Sequence, residues 1–258
     1  MYLILRLLVV TVFAIIMLVF GCGYCLFSPK NPKHVHRFGL LFGKLSYLFG
    51  IKLDLRQSEA SKAIGTFVYV SNHQSSWDLV TVSNAVRPRT VTVGKRSLAF
   101  IPIFGTLYWL TGNILIDRNN RNKAMSTIGQ VIKKIRENNV SVWLFPEGTR
   151  SRGRGILPFK TGAFHIAVGA GVSIVPIVCS STGHLSLLLG DNGHIIVEIM
   201  DPISIKGYGK EQVRKLSRYC HDVMAIKLAE LDAEVAKLNK KGAMIKSGVQ
   251  IPEQYPDD

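Results

Sequence analysis

Acidic residues are scarce in this 258-residue chain: 17 Asp and Glu stand against 32 Lys and Arg, a net charge of +15. The deficit is uneven. Residues 1–60 carry 7 basic and 2 acidic side chains, residues 61–165 carry 15 and 4, and residues 166–258 carry 10 and 11. The basic excess therefore sits in the middle, where it would attract phosphates, anionic lipids, an acidic partner protein or nucleic acid. Nucleic acid fits worst, because aromatic residues are not interleaved with the cations and no nucleic-acid motif is present. Cysteine is sparse too, with Cys22, Cys25, Cys179 and Cys220 the only four. Cys22 and Cys25 make a C-x-x-C inside an apolar run, with no second Cys or His pair at zinc spacing and no redox-type βαβ context. They read as small apolar residues, a usage that suits a reducing compartment. Internal repeats, low-complexity tracts and the G-x-S-x-G elbow of serine nucleophiles are all missing.

Charge vanishes altogether over residues 7–29. A helix of about 20 apolar residues crosses a hydrocarbon core, so this stretch is long enough to do so. Arg6 precedes it, and Lys30, Lys33, Arg37 and Lys44 follow it. That bias places the remainder of the chain on the cytoplasmic side. A cleaved signal peptide fits less well: Arg6 alone makes a thin basic region, and bulky Phe20 stands where a small residue is wanted. Residues 35–51 are again apolar-rich but too short and too charged to span. They read as a second helix lying in the interface, with Lys44 reaching outward. A true span and a hairpin confined to one leaflet are both compatible with this pattern. The expected organisation is an anchor over residues 1–56, a catalytic domain over 57–241 and a loose tail over 242–258.

Short β-rich runs at residues 66–70, 90–93, 113–116, 141–145, 173–178 and 195–199 alternate with helical stretches at 123–138 and 163–168. Several of the runs are continuously apolar, as strands buried on both faces are. The expected fold class is α/β, a mainly parallel sheet flanked by helices and preceded by a membrane-embedded helical segment. Residues 210–241 read as one long packing helix, with Val213, Leu216, Tyr219, Cys220, Val223, Ile226 and Leu228 at helical spacing.

Four of the strand ends carry chemistry. The run ending at Ser71 opens into Asn72-His73-Gln74-Ser75-Ser76-Trp77-Asp78. Five helical steps rotate a side chain by roughly 140°, so one continuous helix would not align His73 with Asp78. His73 is therefore expected on a turn and Asp78 near the start of the next helix, capped by Ser75 or Ser76. Asp78 then reaches one imidazole nitrogen and leaves the other free to take a proton from a hydroxyl. The other ends are Val93-Gly94-Lys95, Ile116-Asp117-Arg118 continuing to Arg121, and Phe145-Pro146-Glu147-Gly148-Thr149-Arg150. Any one of these cations reads as a solvated surface charge. Lys95, Arg118 and Arg150 at one sheet edge beside a base make a site for a phosphate monoester. Gly148 lets backbone approach a ligand, and Glu147 is expected to pin the loop by pairing with an arginine.

These motifs resemble the bacterial 1-acylglycerol-3-phosphate acyltransferases, also called lysophosphatidic acid acyltransferases. The resemblance rests on H-x-x-x-x-D at His73–Asp78, the arginine-bearing segment Gly112–Arg121, F-P-E-G-T-R at Phe145–Arg150 and Val175-Pro176-Ile177, all in family order. It covers most of the chain, including Ser28-Pro29-Lys30-Asn31-Pro32. It implies the glycerolipid acyltransferase fold and transfer of an acyl chain from acyl-carrier protein or coenzyme A to the sn-2 hydroxyl of lysophosphatidic acid, at the cytoplasmic face of the bacterial inner membrane. It implies His73 as base with Asp78 as its partner. Acceptor-phosphate contacts fall on Arg118, Arg121, Glu147, Gly148 and Arg150, with Lys95 added from its strand end. The acyl-chain region falls on Val175, Pro176 and Ile177. No cofactor and no metal are implied, and the partners are the bilayer, lysophosphatidic acid and the thioester donor. Backbone amides of the Gln74–Trp77 turn are expected to stabilise the oxyanion. The rival readings are another acceptor, such as glycerol-3-phosphate or an amino-lysolipid, and a non-catalytic binder of anionic lipid or nucleic acid.

Overall fold

The computed structural model describes residues 2–102, 104–117 and 121–246. Its centre is a seven-stranded sheet in the order β1-β7-β6-β2-β5-β3-β4. In chain order the strands are β1 (Ile51–Gln57), β2 (Val68–Ser71), β3 (Thr90–Lys95), β4 (Ile114–Ile116), β5 (Ser141–Leu144), β6 (Ile174–Cys179) and β7 (Gly193–Ile199). Every pairing is parallel except β6 with β7. The helices are α1 (Tyr2–Ile16), α2 (Cys22–Phe27), α3 (Lys33–Leu48), α4 (Phe104–Leu110), α5 (Arg121–Asn138), α6 (Gly162–Ala170) and α7 (Val213–Lys246). The architecture is the mainly parallel α/β sheet expected from the sequence.

The central strands β2 and β6 are buried at every residue, which is why their sequences, VYVS and IVPIVC, lack a polar face. Pro176 lies inside β6, where a missing N–H would normally break a ladder. Its carbonyl faces the β7 side and accepts from the Met200 N–H at 2.9 Å, and the β6–β7 ladder starts only at Ile177. The missing donor thus points past the end of the ladder. On α7 the buried stripe is Val213, Leu216, Cys220, Met224, Leu228, Leu231 and Val235. Tyr219 and Ile226, grouped with that stripe on sequence spacing, are exposed. The helix continues to Lys246, past Gly242 where the tail was expected to begin; residues 247–258 lie outside the described residues.

The expected anchor boundary at residue 56 needs correction, because β1 belongs to the sheet. It pairs with β7 from Ile51↔Gly193 to Gln57↔Ile199. Lys52, Asp54 and Arg56 alternate with Ile51, Leu53 and Leu55, the period of a strand, and Ile51 is buried where the strand begins. Ahead of it, α1, a π-helical turn at Met17–Gly21 and α2 make one apolar helical run, Leu3–Phe27, of 25 residues, whose most apolar 18-residue window has mean hydropathy 3.0. Only 11% of its most apolar window is buried. The run stays against the rest of the molecule. Met17 and Cys25 share a small core with Phe38, Leu107 and Leu110, and the Lys30 N–H donates to the Leu110 carbonyl at 2.9 Å. Arg6 is buried rather than flanking the run in water, donating from Nε to the Leu48 carbonyl at 3.1 Å.

Helix α3 carries this assembly onto the catalytic face through two glycines. A side chain at Gly39 would meet the Ser83 carbonyl at 3.0 Å, and one at Gly43 would overlap the Asn84 amide. Asn84 cannot yield freely, since its Nδ2 donates to the carbonyls of Val80 at 3.1 Å and Thr81 at 2.9 Å. Gly43→Ala is therefore expected to cost ~1–3 kcal/mol through overpacking, read as a lower thermal midpoint of the detergent-solubilised protein.

Candidate active site

The chain leaves β2 at Ser71 and turns sharply, and buried side-chain amides hold the turn. Asn72 Nδ2 donates to the Cys179 carbonyl and its Oδ1 accepts the Cys179 N–H, both at 2.9 Å. Gln74 Nε2 donates to the carbonyls of Cys179 and Ser180 at 2.8 Å, and its Oε1 accepts the Thr182 N–H at 2.9 Å. The turn is thereby clamped to the end of β6. A 3₁₀ turn, Ser76–Leu79, follows, with Ser75 as its cap accepting the Trp77 N–H at 3.1 Å. Asp78 completes a capping box on that turn, as the sequence spacing requires.

Asp78 is buried, and its Oδ2 accepts from His73 Nδ1 at 2.6 Å, Gln74 N–H at 2.8 Å and Ser75 N–H at 3.3 Å. A carboxylate on Nδ1 fixes the imidazole tautomer that carries hydrogen there and leaves Nε2 as the basic nitrogen. The His73 ring stacks on Phe145, with centroids 4.2 Å apart and planes at 20°, which sets its orientation. Three of the amides expected to serve an oxyanion are already committed: those of Gln74 and Ser75 to Asp78, and that of Trp77 to Ser75.

Glu147 holds the turn from the other side. It is buried, and its Oε1 accepts the His73 N–H at 2.7 Å while Oε2 accepts the Leu157 N–H at 3.0 Å. The expected pairing with an arginine is replaced by two backbone donors. Backbone bonds from Ser151 N–H to the His73 carbonyl at 2.7 Å and from Arg152 N–H to the Gln74 carbonyl at 3.0 Å stitch the same two loops together. Gly148 sits at φ +72°, a left-handed conformation that favours glycine, with the Lys160 side chain 3.0 Å from where a Cβ would stand.

His73 and Asp78 line a cavity of about 750 Å³. Lys95, Gly148, Thr149, Arg150 and Arg152 give its lining a cationic part. Phe38 and Phe42 of α3 and Leu98, Ile101, Phe104 and Leu107 around α4 give it an apolar part. Of the residues singled out in the sequence, Lys95, Gly148 and Arg150 reach this cavity. Arg118 lies outside the described residues, and Arg121 is the first residue of α5, with its side chain likewise outside them. Val175, Pro176 and Ile177 do not line the cavity: they are buried inside β6. Arg152 went unread as a site residue, although it stands two positions beyond Arg150. The apolar lining could not be read as a site, because Phe38 and Phe42 repeat at the spacing of any buried helix face.

Burial raises the Glu147 carboxyl above its ordinary range, opposed by the bonds from His73 and Leu157. A carboxyl raised in the native state adds stability that is fully present below its unfolded value and is lost as pH rises through the raised native value. Glu147→Gln is expected to flatten that limb of the stability–pH curve. It should also lower turnover, because one face of the amide opposes a backbone N–H with its own donor, a mismatch worth ~1–3 kcal/mol. Thermal melts across pH and initial rates check both.

Comparison with known proteins fits this geometry. The Acyltransferase family model matches residues 52–180. The chain is 53% identical over 238 residues to the 1-acyl-sn-glycerol-3-phosphate acyltransferase of Escherichia coli, covering 92% of this chain and 97% of that one. It is 52% identical to the protein of the same name from Haemophilus influenzae, covering 91% and 98%. The crystal structure of the 1-acyl-sn-glycerophosphate (LPA) acyltransferase from Thermotoga maritima superposes with a TM-score of 0.67 at 27% identity, over 90% of this chain and 98% of that one. With its sheet, its dyad-bearing cavity and these relatives, the chain belongs to the 1-acyl-sn-glycerol-3-phosphate acyltransferase family.

Proposed function

We propose that this acyltransferase moves a fatty acyl group from an acyl-carrier-protein or coenzyme A thioester to the sn-2 hydroxyl of lysophosphatidic acid, forming phosphatidic acid, with His73 as the general base. The observation that carries the reading is the 2.6 Å bond between His73 Nδ1 and Asp78 Oδ2 on the wall of a cavity lined by both cationic and apolar side chains. An acceptor with a phosphate, a hydroxyl and a fatty chain matches that combination of surfaces. Lys95, Arg150 and Arg152 suit the phosphate monoester, with Arg118 and Arg121 added by family resemblance. The apolar lining suits acyl chains, a role the family resemblance had given to Val175, Pro176 and Ile177.

In the proposed step Nε2 removes the proton of the acceptor hydroxyl while Asp78 stabilises the imidazolium. The alkoxide oxygen attacks the thioester carbonyl, forming the new C–O bond. The tetrahedral intermediate collapses with cleavage of the C–S bond, and the imidazolium returns its proton to the leaving thiolate. Atoms and charge balance without an acyl-enzyme, a cofactor or a metal in the scheme. Ser76 borders the cavity at the head of the 3₁₀ turn, and in this reading its amide serves the oxyanion in place of its three committed neighbours.

The domain sits at the cytoplasmic face of the inner membrane in this reading. Contacts at Arg6, Met17, Cys25 and Lys30 hold the helical run along the molecule. They support a helix lying in one leaflet over one that leaves the domain to cross the bilayer.

His73→Ala should reduce turnover by at least ~100-fold. Arg150→Ala should mainly raise the KM for the acceptor and leave kcat within a few-fold. Initial rates with both thioester donors, and with lysophosphatidic acid, glycerol-3-phosphate and an amino-lysolipid as acceptors, check the substrate assignment. Full turnover by His73→Ala would overturn the mechanism.

A further inference from the structure

The loop between β6 and β7 is built opposite to an ordinary water-facing loop. Leu187, Leu188 and Leu189 follow one another and are 41%, 68% and 48% exposed, and no charged residue occurs from Leu185 to Gly190. Loops in water carry polar side chains and give their backbone groups to solvent. Here the backbone bonds turn inward. Arg6 Nη1 donates to the carbonyls of Leu187 at 2.7 Å and Leu189 at 2.5 Å. Asn192 Nδ2 donates to the Ser186 carbonyl at 2.9 Å, and its Oδ1 accepts the Ser186 N–H at 2.6 Å. The Leu188 N–H goes to Ser186 Oγ at 3.2 Å. Hydrocarbon, unlike water, offers no partner to a backbone group, so a segment that enters it must satisfy its own.

The donor that seals the loop comes from the apolar helix itself. Arg6 is 4% exposed, while its neighbours Ile4, Leu5 and Leu8 are 75%, 54% and 60% exposed. One buried guanidinium therefore joins the tip of the loop to the exposed end of α1 as a single apolar surface. The loop also begins beside the catalytic turn, where Thr182 bonds to Gln74 and lies 3.3 Å from Ser75 Oγ.

We infer that Leu187–Leu189 is a further membrane-inserting element, seated in the same hydrocarbon layer as α1. The inference rests on the membrane anchoring proposed above. Its consequence is orientation: an insertion point on the loop, off the axis of α1, limits how the domain rolls about that axis and helps fix which way the catalytic turn faces. The occupant is bilayer hydrocarbon, because the surface continues that of the apolar helix and the carbonyls of Leu187 and Leu189 are taken up by the buried Arg6 rather than turned to solvent.

The test uses the full chain with Cys22 replaced by Ala, carrying one polarity-sensitive fluorophore on Leu188→Cys, Ile4→Cys or Glu59→Cys. Each protein is reconstituted into phosphatidylethanolamine–phosphatidylglycerol vesicles containing a lipid-borne quencher. The expected result is strong quenching at positions 188 and 4 and none at 59. Quenching at 4 with position 188 behaving like 59 overturns the inference and leaves the anchor standing. No quenching at either position overturns the anchor and this inference with it. A blue-shifted label at 188 that the lipid-borne quencher cannot reach identifies a second copy as the occupant and overturns the inference. Leu188→Asp should also lower turnover on vesicle-borne acceptor several-fold while matching the unsubstituted protein in detergent micelles, and equal loss in both settings counts against it.

Discussion

One carboxylate oxygen organises the site. Asp78 Oδ2 receives the imidazole Nδ1–H of His73 and the backbone N–H groups of Gln74 and Ser75. It therefore fixes the tautomer of His73 and the shape of the turn that presents it. Three further supports converge on that turn. Asn72 and Gln74 clamp it to the end of β6, Glu147 takes the His73 N–H, and Phe145 stacks beneath the ring. Asn72, Gln74 and Glu147 are buried, so each of their bonds acts in a medium where a lost partner is not replaced by water. The sheet contributes by bringing the ends of β2, β3 and β5 to one edge, the place where open α/β sheets bind ligands.

The dyad was readable in the sequence because its geometry is local. A five-residue spacing excludes a continuous helix and calls for a turn with a capped helix start, which is what Ser75 and Asp78 build. Six of the seven strands could be read from apolar runs. The seventh, β1, has a clear alternation but follows directly on the apolar α3 segment and was absorbed into it. What could not be read is what depends on distant pairing. Glu147 meets His73 across 74 positions, and it does so through a backbone N–H, which carries no residue-type signature. Val175, Pro176 and Ile177 form an obvious apolar motif, yet parallel pairing with β2 places them in the core rather than at the cavity.

Helix α3 shows why hydrophobic pattern alone divides membrane from core poorly. Val35 and Phe38 are buried, Leu40, Leu41 and Tyr47 are exposed, and Phe42 lines the cavity. An exposed apolar stripe and a cavity-lining stripe lie on one short helix, and both look apolar in sequence. The two close glycine contacts to Ser83 and Asn84 seat that helix on the segment following the His73 turn. The exposed apolar residues and part of the cavity lining thus share a single structural element.

The most direct test of the account is Asp78→Asn. Its side-chain oxygen can take the position of Oδ2 and keep the three hydrogen bonds, and its amide nitrogen then replaces Oδ1, which is buried without a partner among the described residues. The substitution removes the charge that stabilises the imidazolium and spares the geometry. The account predicts an unchanged fold, an acceptor KM within a few-fold of the unsubstituted enzyme, and a kcat lower by at least ~100-fold. A kcat close to that of the unsubstituted enzyme, with the fold intact, would contradict it.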